Sequence, residues 1–265
     1  FSRPHHYTSN VVESRRAAMT STNENPPPLF SCSSHRLKIA LLLNFGIAVC
    51  VCMRTNLNMA VVCMVNTTFH RTQLIDAQAT HHADEICSRN DEGSIAKDYD
   101  GSLEWTPQMQ ASLLSTTFYG SIFTIAISGS MADRFGPKLI LSGACFIYVV
   151  VTLATPFLAE FSFEALFAAR LIMGIAEGFV MPSVGSMAGR WFPPLERSTL
   201  SGIYTSGSQL GAASSSLISV FLCSSPLRWP SIFYLFGTLG VIFIACWLAL
   251  ASNSPATNRF IYERE

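Results

Sequence analysis

Charge is what this sequence has least of. Charged side chains make up 13% of its 265 residues, about half the usual share of a soluble domain. Lys plus Arg and Asp plus Glu stand at 17 each. There is therefore no basic excess to displace counterions from a duplex, which excludes a nucleic-acid partner. Enzyme constellations are missing too. No Ser/His/Asp set, phosphate loop or metal-ligand spacing occurs in the apolar stretches, and the six His lie in the N-terminal region, at its junction with the first apolar stretch, and between the first two stretches. Neither an enzyme nor a metal site is expected. No apolar run precedes Leu37, so no cleavable signal peptide is visible, and the first helix is expected to act as its own insertion signal.

What remains is apolar. Hydrophobic residues make up 49% and mean hydropathy is +0.35, too much for so little charge to coat in water. The apolar residues form six stretches, Leu37 to Val65, Gln108 to Ala132, Leu139 to Ala159, Phe163 to Ala188, Thr199 to Cys223 and Trp229 to Leu250. Each reaches the roughly 20 residues that a helix needs to cross a bilayer core. They mix Leu, Ile, Val and Phe with Gly, Ala and Ser, which let helices approach closely in lipid. The expectation is an all-α membrane protein of six packed transmembrane helices.

Residues 1–36 are polar, include Pro26-Pro27-Pro28, and read as a disordered tail; 37–250 form the bundle; 251–265 read as the start of a linker. Positive residues stay cytoplasmic. Arg3, Arg15, Arg16, Arg36, Lys38, Arg134, Lys138, Arg190, Arg197, Arg259 and Arg264 gather on one side if the N-terminus is inside. The other side holds only Arg71, Arg89, Lys97 and Arg228 against ten acidic residues, eight of them in an outer loop over 66–107. Asn66-Thr67-Thr68 opens that loop and is a glycosylation acceptor, which needs a lumenal or extracellular position. Cys50, Cys52, Cys63, Cys145 and Cys246 lie in the stretches as small hydrophobes, and Cys87 with Cys223 is the candidate disulfide.

Three charges lie well inside the stretches: Arg54, Arg170 and Glu177. An Arg within a membrane helix costs at least about 2.5 kcal/mol on insertion scales, so it is retained where it faces a cavity or a partner. Arg170 stands two turns before Glu177 on one helix face, and an Arg170–Glu177 ion pair is one reading of that spacing.

The turn Gly129-Ser-Met-Ala-Asp133-Arg134-Phe-Gly136-Pro-Lys138 resembles the G-x-x-x-D-R-x-G-x-K signature of the major facilitator superfamily, where such a charged turn latches the cytoplasmic side. Met53-Arg54-Thr-Asn56-Leu57-Asn-Met-Ala60-Val61-Val62-Cys63-Met64-Val65-Asn66 is similar to a run of the anion:cation symporters (solute carrier family 17), which include phosphate cotransporters, sialin and vesicular glutamate transporters. Arg170-Leu-Ile-Met-Gly174-Ile-Ala-Glu177-Gly178, Trp191-Phe-Pro193-Pro194-Leu-Glu196-Arg197-Ser198 and Trp229-Pro-Ser-Ile-Phe233-Tyr234-Leu-Phe-Gly237 agree with it in order.

The resemblance implies a secondary active transporter of organic or inorganic anions, with no cofactor beyond a coupled Na⁺ or H⁺. It implies that these six helices are the N-terminal half of a twelve-helix fold, with helices one to three and four to six as inverted repeats. A missing C-terminal half and a lipid membrane, plasma or organelle, are then the partners. Arg54 and Arg170 become candidates to grip a carboxylate or phosphate through the guanidinium fork. Glu177 becomes the coupling candidate, Tyr119 a stacking or hydrogen-bonding one, and Gln209 a weaker one. Leu114 and Cys63 stand where the vesicular glutamate branch has a His and an acid, which favours a more general organic-anion or phosphate carrier. A non-transporting receptor or regulatory half-transporter is the competing reading.

Overall fold

The computed structural model describes residues 34–65, 103–226 and 228–252, all in or next to six helices. These are α1 (His35–Met64), α2 (Pro107–Phe135), α3 (Pro137–Phe161), α4 (Phe163–Trp191), α5 (Arg197–Cys223) and α6 (Pro230–Leu250). Local chemistry sets their starts. Ser34, Thr106 and Ser162 accept from the backbone N–H three residues on, and Pro occupies the first turn of α2, α3 and α6, where its missing N–H costs nothing. Gly136 ends α2 and begins α3 in a single residue at φ 91°, a backbone region that favours glycine.

Among the described residues five helices are long and apolar enough to cross a membrane. The exception is α5, which is expected from its sequence to span and has 27 residues. Its many Ser, Thr and Gly leave it less apolar than the other five. Its polar content serves packing and faces a cavity, as set out below. The N-terminal tail, the loop with Asn66 and Cys87, and the linker lie outside the described residues.

The helices pack in pairs: α1 on α5, α2 on α4, α3 on both α4 and α6, and α6 on α1. Exchanging α1 with α4, α2 with α5 and α3 with α6 reproduces this list, as two repeats of three helices require. In hydrocarbon no hydrophobic force drives helices together, so both outer seams use small residues for close contact. On the α1–α5 seam a Cβ at Gly207 would strike the Asn44 carbonyl, and one at Gly211 the Ala48 carbonyl. One turn further, the Ser215 hydroxyl donates to the Cys52 carbonyl at 3.3 Å. On the α2–α4 seam a Cβ at Gly174 would meet the Thr117 backbone.

The α1–α5 seam ends in a disulfide between Cys63 and Cys223, with Cα atoms 6.1 Å apart. This corrects the expectation that Cys63 is a lone small hydrophobe and that Cys223 awaits Cys87. The two helices run in the same direction, so their C-terminal ends coincide, which the sequence separation of 160 conceals.

Two outcomes check this packing. Gly174→Leu should lower the melting temperature or abolish folding, because overpacking costs about 1–3 kcal/mol and here the obstacle is backbone. Gly143→Ala, with open space around it in the interior of α3, should not lower the melting temperature, since Ala is the better helix former. Peptide mapping of non-reduced protein should join Cys63 to Cys223; Cys223 joined to Cys87 would contradict the seam.

Candidate functional site

Arg54 of α1 donates to the Glu177 carboxylate of α4, joining two helices that otherwise pack mainly on other neighbours. The pair is half-buried, with 32% of the Arg54 side chain and 22% of the Glu177 side chain exposed, so both remain reachable. The Phe118 ring from α2 lies 5.9 Å from the Arg54 guanidinium, within cation–π range. One Glu177 oxygen, Oε2, is buried without a hydrogen-bond partner.

Arg54 is shared by two cavities. One, of about 110 Å³, is lined by Ile47, Cys50 and Val51 of α1, Tyr148 of α3, Glu177, Val180 and Met181 of α4, and Ser208 of α5. The second, of about 60 Å³, lies between Arg54 and Arg170 and is edged by Thr55, Asn58, Thr117 and Phe118.

Arg170 is 1% exposed. Its Nη2 donates to Thr155 Oγ1 at 3.4 Å, its Nη1 reaches the Met173 sulfur at 3.6 Å, and its guanidinium lies 5.9 Å from the Phe233 ring. Nε has no partner, and among the described residues no carboxylate pairs with Arg170. The ion pair read from the spacing of Arg170 and Glu177 is therefore not the one formed: Glu177 turns to α1 instead. The cation that bounds the second cavity is left without a counter-charge, in surroundings where an uncompensated charge is costly.

The other sequence candidates separate. Tyr119 is 55% exposed on α2 and lines neither cavity, and Gln209 is exposed on α5. Ser208, one residue before Gln209, is the α5 side chain that reaches the Arg54–Glu177 cavity. Tyr148 was missed because one aromatic among several in the apolar α3 reads as core. Asn58 and Thr55 carried a signal, as polar side chains within a turn of Arg54 inside an apolar run.

The turn motif sits at the end of the bundle that carries the α1 N-terminus. Asp133 accepts from the Ser186 hydroxyl at 2.6 Å and lies 3.6 Å from Arg190, both on α4; Arg190 also donates to the Asp133 carbonyl. Arg134 lies over Phe135. Lys138 donates to the Leu248 carbonyl, tying α3 to the end of α6, while a Cβ at Gly129 would meet open space. Arg36 and Glu196 form a further ion pair at the same end, 3.3 Å apart. Among the described residues no group of three or more His, Cys, Asp or Glu is placed to hold a metal.

Comparison with known proteins agrees with this architecture. Residues 43–265 match the family model of the Major Facilitator Superfamily. The chain is 34% identical to the uncharacterized transporter slc-17.3 of Caenorhabditis elegans over 90% of its length and 48% of the relative's. It is 37% identical to sialin of Ovis aries over 91% of its length and 47% of sialin's. The chain thus spans about half the length of the curated relatives it matches. The fold is also that of a bacterial homolog to the human lysosomal transporter Spinster in an inward-facing and unoccupied conformation, with TM-score 0.60 and 17% identity over 86% of this chain and 45% of that one. From its apolar helices, its paired three-helix packing and these matches, the chain is a multi-pass membrane protein that belongs to the major facilitator superfamily, with solute carrier 17 proteins as its relatives.

Proposed function

We propose that the chain is the N-terminal half of a secondary active anion transporter that works by alternating access. The observation that carries this reading is the uneven charge of the central face. Two guanidiniums and one carboxylate border two adjoining cavities, and Arg170 has no acid partner among the described residues. An anionic substrate, carboxylate or phosphate, balances the surplus. Arg54 and Arg170 hold it from two sides through charge-assisted hydrogen bonds, with Asn58 and Thr117 at the rim of the same cavity.

Glu177 is the coupling residue. An anion that engages Arg54 competes with Glu177 for the same guanidinium, and a carboxylate that loses its partner in a low-dielectric cavity is neutralised by a proton. Anion and proton occupancy are thereby linked, and the link is reciprocal. Coupling to Na⁺ or to the membrane potential is the alternative to coupling to H⁺. The turn with Gly129, Asp133, Arg134, Gly136 and Lys138 closes the cytoplasmic side, since its contacts to α4 and α6 are polar and exposed enough to be remade.

The N-terminus lies in the cytoplasm, and residues 66–107 lie in the lumen or outside the cell. The Cys63–Cys223 disulfide supports this, since it stands at the opposite end from the basic turn and needs an oxidising compartment. Residues N-terminal to α1 form a cytoplasmic tail, and those after α6 lead through a linker to a second half of the same protein, in the plasma membrane or a vesicle or lysosome membrane.

The deciding experiment is uptake by the full-length protein in liposomes, with phosphate, sialate, glutamate and urate offered under separate Na⁺, H⁺ and voltage gradients. One anion accumulates if the reading holds; folded protein that moves none of them overturns it. Glu177→Gln should abolish pH-driven accumulation and spare counterflow exchange, and unchanged pH-driven uptake removes the coupling role. Arg54→Lys keeps the charge but not the fork, so uptake should lose affinity while the melting temperature changes little. Asn66→Gln should remove a glycosidase-sensitive mass shift from protein made in a eukaryotic host.

A further inference from the structure

Two thiols that the transport reading does not use lie in contact, one of them lining the cavity that holds the Arg54–Glu177 pair. Cys50 of α1 and Cys145 of α3 are buried and reduced, with their sulfurs 3.5 Å apart. Cys50 lines the cavity that holds Arg54 and Glu177, and Cys145, which does not line it, touches the Cys50 sulfur. A reagent in the cavity therefore lies next to Cys50, whose sulfur is in contact with a second thiol. Cys52 does not join them: its sulfur reaches the Gly211 carbonyl at 3.2 Å and Ser214 at 3.6 Å on the α5 side. With no third metal-ligating side chain gathered among the described residues, a four-coordinate zinc site is not built here. The pair fits a soft centre that is satisfied by two sulfurs.

We infer that Cys50 and Cys145 form a dithiol site for trivalent arsenicals, opening on the cavity beside Arg54 and Glu177, and that its occupation blocks anion passage. The blocking half rests on the transport reading; the binding half does not. In the step, an organic arsenic(III) oxide condenses with both thiols. Two As–S bonds form, the arsenic–oxygen bond breaks, and the two thiol protons leave with the oxide as one water. Arsenic stays trivalent and nothing is oxidised. Both sulfurs are already in contact, so the chelate closes without rearranging α1 against α3, and little ordering cost opposes it. The organic group on arsenic then projects from Cys50 into the cavity, against Arg54 and Glu177.

The test treats purified full-length protein with phenylarsine oxide. Peptide mapping of the wild type should find one phenylarsenic group bridging Cys50 and Cys145, and neither Cys50→Ala nor Cys145→Ala should retain that bridge. Uptake in liposomes should be lost on treatment and restored by a dithiol such as dimercaptopropanol but not by a monothiol. Cys145→Ala, whose side chain does not reach the cavity, should keep its basal uptake and resist the reagent. Failure of the folded wild type to take up the bridge, or retention of the adduct by both variants, overturns the site. A bridge formed with uptake unchanged overturns the block. The mapping needs no transport, so failure of the transport reading is seen separately.

Discussion

The arrangement depends on one ion pair, Arg54 to Glu177, across the gap between α1 and α4. Each of these helices is committed elsewhere along its flanks, α1 to α5 and α6, α4 to α2 and α3. The pair joins them on their open side, where both groups keep some exposure. Breaking a partly buried pair leaves a charge without compensation, which is far more costly than the pair is stabilising. Whatever takes the guanidinium from Glu177 must therefore supply a negative charge, and the carboxylate must find a positive one. That constraint ties the chemistry of the ligand to the state of the protein.

The rest of the bundle holds this pair in place. Gly207 and Gly211 bring α5 against α1, and the Cys63–Cys223 bond fastens one end of the same seam. Gly120 and Gly174 do the equivalent for α2 and α4. The remaining described ion pairs, Arg36–Glu196 and Arg190–Asp133, lie at the opposite end from the disulfide. One end of the half-bundle is thus covalently fixed and the other is held by polar contacts that exchange readily with water. Motion is cheaper at the second.

Much of this was legible because charge is so scarce. Arg54, Arg170 and Glu177 stood out as the three charges inside apolar stretches, and all three border the two central cavities. Helix starts were legible from apolar content to within two residues, while the caps Ser34, Thr106 and Ser162 emerged only from the structure. Even α5 was legible as the apolar stretch Thr199 to Cys223, although Ser and Gly dilute its apolarity. Pairings between distant segments were not legible. Glu177 has one Arg seven residues away and another 123 away, and it chose the distant one, because helix rotation turns Arg170 into contact with Thr155 and Phe233. Cys223 has the same history with Cys63. Tyr148 and Ser208 carry no mark in the sequence; only the tertiary structure brings them to the cavity.

The central claim is that an anion and Glu177 compete for Arg54, and proton release or uptake on ligand binding tests it most directly. With a pH indicator and weakly buffered, detergent-solubilised full-length protein, addition of a transported anion should draw protons from solution, and Glu177→Gln should bind the anion without any proton signal. Anion binding that draws the same protons in the wild type and in Glu177→Gln, or that draws none in either, would contradict it.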